Sequence, residues 1–170
     1  MYKLKDVVMY GDEGVCIIKD IVEREFKGKC IKYFVLKPVT NDSTTIYIPI
    51  NSKELVMKMK KILSKDEIIK LIKSMPMLEG EWIKSDNQRK DKYKEVLKSG
   101  SREELFCMIK NLGTHSSKMK EEGKKFHVLD ERMMKEAKKK LYEEFSYVLD
   151  IEFDEVVKYI EDVNEELVKK

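Results

Sequence analysis

Residues 15–36, VCIIKDIVEREFKGKCIKYFVL, decide how the first third of this chain folds. Val15 to Ile21 is apolar and β-branched, and the run continues to Phe26. Lys27-Gly28-Lys29 is a tight-turn signal, and Ile31-Lys32-Tyr33-Phe34-Val35-Leu36 returns. Branched and aromatic side chains suit a pleated surface, and glycine accepts the positive φ that a short hairpin loop demands. The stretch therefore predicts two antiparallel strands. On its N-terminal side, Val7-Val8-Met9-Tyr10 makes a short strand closed by the turn Gly11-Asp12-Glu13-Gly14. On its C-terminal side, Asn41-Asp42-Ser43 turns the chain into Thr44–Ile50, which alternates. There Thr45, Tyr47 and Pro49 fall on one side, and Ile46, Ile48 and Ile50 on the other. Pro49 has no amide hydrogen to donate, which predicts an edge strand. Val56-Met57-Lys58-Met59 offers a fifth strand. Several short strands with close turns predict a small, twisted, antiparallel β-barrel over residues 1–60.

Beyond a boundary at residues 58–63 the period becomes helical. Ser64-Lys65-Asp66-Glu67 is a capping box, followed by Ile68, Leu71, Ile72 and Met75 on one face and Pro76 as a stop. Met77 to Glu81 reads as a linker with Gly80 as its joint. Ser85-Asp86-Asn87-Gln88 caps a second helix reaching Lys98, and Ser99-Gly100 stops it. Ser101-Arg102-Glu103-Glu104 is another capping box, before Leu105, Met108, Ile109 and Leu112. Gly113 marks a kink or an end, and Gly123 ends the segment. Asp130 is expected to cap a long helix to Tyr147 with Met133, Met134, Ala137, Leu141 and Phe145 inward. A last helix carries Phe153, Val156, Val157 and Ile160 on its stripe. The predicted class is α+β: a β-barrel followed by a compact helical bundle over residues 64–170.

A length of 170 residues allows one or two domains, and 42% hydrophobic with 39% charged residues allows a core under a very polar surface. No apolar run approaches the roughly 18–20 residues of a membrane span, and Met1-Tyr2-Lys3-Leu4-Lys5-Asp6 has no apolar segment of a secretory signal. Cys16, Cys30 and Cys107 are odd in number and lack CxxC spacing, so reduced thiols and a cytoplasmic location are expected. The net charge of +3 is unevenly spread: residues 1–60 sum to +3, residues 61–140 to +7 and residues 141–170 to −7. A basic middle attracts a polyanion, and an acidic end repels one.

Residues for catalysis are not evident. His115 lies in a polar stretch and His127 just before a helix start. Neither is spaced with cysteine or carboxylate as metal ligands, so both read as surface or capping histidines. Gly11 and Gly14 are turn glycines, because no helix follows them as in a phosphate loop. Cys107 reads as a packed thiol. Glu143-Glu144 and Glu161-Asp162 read as solvated helix faces. The expectation is a protein that is not an enzyme and uses no cofactor or metal. Trp82, the single tryptophan, shares a helical face with Asp86, Arg89 and Tyr93, with Lys84, Lys90, Lys92, Lys94 and Lys98 around them. A second basic stripe is Arg132, Lys135, Lys138 and Lys139, preceded by Lys124 and Lys125. Two readings stand: a packed tryptophan beside a solvated face, or phosphate-neutralising cations around a flat wedge.

Asp6-Val7-Val8-Met9-Tyr10, Gly14-Val15, Lys27-Gly28, Tyr33-Phe34-Val35-Leu36-Lys37 and Ile48-Pro49 resemble, in this order, the N-terminal module of the CarD/CdnL family. Trp82 through Leu97-Lys98-Ser99-Gly100, then Leu141-Tyr142-Glu143-Glu144-Phe145, resembles its helical module, with spacing like that of Firmicutes members. The resemblance implies a bacterial transcription regulator. A Tudor-like β domain, shared with the transcription-repair coupling factor, would bind the RNA polymerase β subunit. A helical domain would contact promoter DNA at the upstream edge of the bubble and stabilise the open complex. It implies polymerase contact for Arg24, Tyr47, Ile48 and Pro49, with Tyr47 standing where some relatives have arginine. For DNA it implies Trp82 as a minor-groove wedge and Arg89 as a basic contact. Lys84, Lys90, Lys125, Arg132 and Lys139 complete the expected DNA surface. Trp82 lies one helical turn, about 5.4 Å, further from Ser99-Gly100 than in actinobacterial members. The alternative function is a protein-interaction scaffold that does not bind DNA.

Overall fold

The computed structural model describes residues 2–78, 80–99 and 101–169. Glu79, expected in the linker, and Gly100, expected at a helix stop, lie outside them. The chain divides into two compact units, Met1–Leu63 and Ser64–Lys170.

The first unit contains β1 (Val7–Tyr10), β2 (Val15–Phe26), β3 (Lys29–Pro38), β4 (Ile46–Pro49), a short helix α1 (Lys53–Met57) and β5 (Met59–Lys61). Every strand pair is antiparallel, in the order β4-β3-β2-β1-β5. The sheet is open. Closing a barrel requires its first and last strands to hydrogen-bond, whereas β4 and β5 have only four and three residues, and β4 carries Pro49. The strand expected at Val56–Met59 is displaced: Lys53–Met57 coils into α1, and pairing begins at Met59. From α1, Leu55 and Val56 pack against the core of Val8, Cys16, Ile18, Phe34, Leu36, Ile48 and Met59. The β2–β3 loop is the two-residue turn Lys27-Gly28, with φ of 52° and 73°, the pair of positive φ values that matches strand twist.

One irregularity in β2 decides what this sheet displays. Ile18 pairs with Leu36 and Asp20 with Val35, so Lys19 is an extra residue, a β-bulge. Side chains alternate along a strand, and a bulge resets the alternation. Before it Cys16 and Ile18 face the core; after it Ile21 lies opposite Phe34, and Asp20, Val22 and Arg24 take the other face.

The second unit is helical: α2 (Lys65–Ser74), α3 (Asp86–Ser99), α4 (Arg102–Glu121), α5 (Val128–Leu149) and α6 (Val156–Val168). Ser64 and Glu67 form the expected capping box on α2, and Ser101 Oγ accepts from the Glu104 amide at the start of α4. α4 runs unbroken through Gly113, where no partner forces a bend. It ends at Gly123, whose φ of +67° suits glycine. α5 starts earlier than expected. His127 is its cap, with Nδ1 accepting from the Leu129 amide at 3.3 Å, and Asp130 is buried one turn in.

The core joins Leu105, Phe106, Met108, Ile109 and Leu112 of α4 to Met133, Ala137, Leu141 and Phe145 of α5, all buried. The Phe106 and Phe145 rings meet at 6.3 Å. Each large apolar side chain buried this way contributes roughly 1.5–3 kcal/mol. Phe153 and Val157, expected inward, are 39% and 42% exposed. Phe153 sits in a 3-10 turn ahead of α6, and Val157 is rotated away from the stripe of Val156 and Ile160. Glu144, expected in solvent, is 2% exposed. It accepts two hydrogen bonds from Arg102, Nε to Oε2 at 2.8 Å and Nη2 to Oε1 at 2.6 Å. This forked pair ties the start of α4 to the end of α5.

Tyr142 predicts an alkaline weakness. Burial, then the Glu161 charge, pushes its phenol up to about 12. A raised folded-state value means the unfolded chain releases its proton first, from about pH 10. The stability held below pH 10 is then lost as pH rises toward 12, by roughly 2–3 kcal/mol. Urea unfolding at pH 8 and pH 11.5 should show this loss, and Tyr142→Phe should reduce it.

Candidate functional site

The sheet face created by the bulge gathers a cation and aromatic rings. Val22 lies opposite Tyr33 and Tyr33 opposite Pro49, while Val35 pairs with Tyr47 and Arg24 with Ile31. Paired residues project to the same side, so Val22, Arg24, Ile31, Tyr33, Tyr47 and Pro49 share one surface. Arg24 Nη2 donates to Tyr47 Oη at 2.8 Å, and its guanidinium carbon lies 4.1 Å from the Tyr47 ring centroid. The Tyr33 and Tyr47 rings meet edge to face at 6.5 Å. Arg24 is exposed, Tyr47 is 40% exposed and Pro49 is partly buried. The exposed guanidinium is therefore oriented before any partner arrives. A flat cation held on an aromatic plate suits an acidic, hydrogen-bonding polypeptide. Ile48 does not belong to this surface. It is fully buried in the core, because alternation sends it opposite Tyr47 and Pro49. Its expected contact with a partner is corrected accordingly.

The second unit holds Trp82 in a cluster. The His115 imidazole stacks on the indole at 3.6 Å between centroids and 15° between planes. The Arg89 guanidinium carbon lies over the indole at 4.5 Å. Arg89 is 4% exposed and spends its donors internally. Nε donates to Asp130 Oδ1 at 2.9 Å, Nη2 to Asp130 Oδ2 at 2.7 Å and to Asp86 Oδ1 at 2.8 Å, and Nη1 to the Ile83 carbonyl at 2.9 Å. Donating hydrogen bonds to the Asp130 carboxylate raises the Arg89 pKa above its ordinary value. Arg89 was expected at a phosphate; a buried guanidinium with these partners anchors the indole instead. The face of α3 bearing Arg89, Tyr93, Val96 and Leu97 is the packed one. Trp82 itself is partly buried.

The remaining expected cations lie at the surface of this unit. Lys84, Lys125, Arg132 and Lys139 are exposed, and Lys90 is partly buried. Arg132 Nε lies 3.7 Å from Glu136 on the same helix, an exposed pair that holds it weakly. Burial raises the pKa of the neighbouring Glu143 while the Lys139 charge lowers it.

Sequence reasoning missed His115, Asp130 and Tyr33 as site residues. The first two had a signal. His115 continues the row Leu105, Met108, Leu112 at helical spacing, and Asp130 heads the row Met133, Ala137, Leu141. A polar residue on a buried stripe needs a partner inside. Tyr33 had no such signal, because the bulge at Lys19 sets what lies beside it.

Among the described residues, no group of three or more histidine, cysteine, aspartate or glutamate side chains is placed to hold a metal ion. No described helix is long and apolar enough to cross a membrane. Burial raises the Cys107 thiol above its ordinary pKa, which disfavours the reactive thiolate. No curated protein matches the chain. Residues 2–63 match the family model of the CarD-like/TRCF RID domain, which makes the first unit similar to that domain over its whole length and points to a role in transcription through RNA polymerase.

Proposed function

We propose that this protein is a bacterial transcription regulator that joins polymerase to promoter DNA. The observation that carries the reading is the domain match over residues 2–63, together with the oriented Arg24–Tyr47 pair on the exposed sheet face. In this reading the face of β2, β3 and β4 docks on the RNA polymerase β subunit. β4 is an edge strand, so its outer backbone is also open to an added strand. The second unit meets promoter DNA at the upstream edge of the bubble through Trp82, Lys84, Lys90, Lys125, Arg132 and Lys139. Binding the melted promoter better than the closed duplex shifts the equilibrium toward the open complex. The protein performs this as a binder, without catalysis or cofactor, in the cytoplasm, in the manner of Firmicutes members of the CarD/CdnL family.

The burial of Arg89 favours a second reading, a scaffold whose helices bind acidic proteins. Salt dependence separates the two. Cations neutralising DNA phosphates release counterions, with a slope of about 0.9 per contact in log affinity against log salt. The full chain should bind a promoter duplex with such a slope, and Lys84→Gln with Lys125→Gln should reduce it by about 1.8. A protein without DNA affinity at low salt would favour the scaffold.

A further inference from the structure

We propose that His115 and the Arg89–Asp130 pair are positioning residues that clamp the Trp82 indole on both faces, so that Trp82 meets nucleic acid by its edge and cannot stack on a base. This rests on the DNA-contacting reading above and specifies how the site works.

The geometry is restrictive. An imidazole nearly parallel to the indole and centred 3.6 Å away covers one face. The Arg89 guanidinium carbon is over the ring at 4.5 Å, and non-bonded carbon atoms approach only to about 3.5 Å. The two groups would overlap on one face, so the guanidinium takes the other. Neither is loosely held. Arg89 is locked by Asp130, Asp86 and the Ile83 carbonyl, and His115 stands on α4 with Phe126 beside its ring at 6.4 Å. What remains accessible on the partly buried indole is its rim.

The consequence concerns the form of DNA recognised. A tryptophan with an open face gains affinity for unpaired bases by stacking. A rim held upright can press only on a groove wall or a base step of a duplex. Trp82 should therefore contribute to binding duplex DNA and contribute nothing to binding a single strand.

The experiment uses the full chain with His115→Ala, His115→Phe and Trp82→Ala, a promoter duplex and one of its single strands. Trp82 is the sole tryptophan, so the near-ultraviolet circular dichroism of the indole reports its immobilisation. His115→Ala should lose most of that band, with the far-ultraviolet helix signal retained, and should bind the duplex about tenfold more weakly. His115→Phe, which keeps a flat ring, should restore both. Trp82→Ala should weaken duplex binding by a similar factor and leave single-strand binding unchanged. A full band and wild-type duplex affinity in His115→Ala would overturn the clamp. Equal losses on duplex and single strand in Trp82→Ala would overturn edge-on contact. Unchanged duplex binding in Trp82→Ala would instead overturn the DNA-contacting reading, a separate failure because the band would still show whether the indole is clamped.

Discussion

Replacing Arg89 with methionine is expected to destabilise the helical unit by about 3–5 kcal/mol, the cost of leaving one partner of a buried ion pair alone. Methionine keeps most of the stem, so the loss falls on the charge. Asp130, with its side chain 3% exposed, would keep a negative charge facing no cation. Asp86 is mostly exposed at 65% and would turn to water at little cost. The Trp82 indole would lose the cation over its face as well. Urea unfolding followed by the helical circular dichroism signal would measure the shift. Arg89→Met with Asp130→Leu should recover most of the loss, because an apolar pair of similar volume removes the unpaired charge along with its partner. Arg132→Met is the control: its exposed partner Glu136 lies 3.7 Å away, and the change should cost under about 1 kcal/mol. A cost for Arg89→Met no larger than that of the control would refute the anchoring role.

The second large effect is functional. Arg24→Glu is expected to weaken binding to the polymerase β subunit at least about tenfold, ~1.4 kcal/mol. The substitution reverses a charge on the face proposed to dock, and repulsion at a complementary interface is costly. It also removes the hydrogen bond to Tyr47 and the cation over its ring, which pre-orient the group. Because Arg24 is exposed, the fold should change little, within about 0.5 kcal/mol. Arg24→Lys separates the two contributions. It keeps the charge without the planar fork, so it should bind between wild type and Arg24→Glu. Calorimetry of the full chain with purified β subunit would measure all three.

Much of this architecture could be read from residue order, and the failures share a cause. The hairpin of Val15–Leu36 and the capping box at Ser64 are local: their turn and cap residues act within a few positions. The edge position of Pro49 follows from its missing amide hydrogen. Barrel closure failed as an expectation because it depends on which distant strands pair. Lys19 illustrates the difficulty further. One extra residue, chemically unremarked, turns Arg24 toward the face of Tyr47. Among the helices, Arg89 is expected as a DNA contact on the face of Trp82 and Tyr93, Asp130 as a helix cap and Glu144 on a solvated face. Each in fact continues an apolar helical row, Tyr93 and Val96 for Arg89, Met133 and Ala137 for Asp130, Leu141 and Phe145 for Glu144. Position on the stripe outweighs charge when an opposite charge sits on the facing stripe. That complement is invisible until the helices are packed, although a lone charge within such a row signals that one is required.

The central claim is a division of labour between the sheet face and the helical unit. The most direct measurement is to determine, for the full-length chain, affinity for the polymerase β subunit and for promoter duplex in parallel, in wild type, Arg24→Glu and Trp82→Ala. The account predicts a crossed result: Arg24→Glu loses the β subunit and keeps DNA, while Trp82→Ala loses DNA and keeps the β subunit. Both affinities falling together in either variant, with the fold intact by circular dichroism, would contradict it.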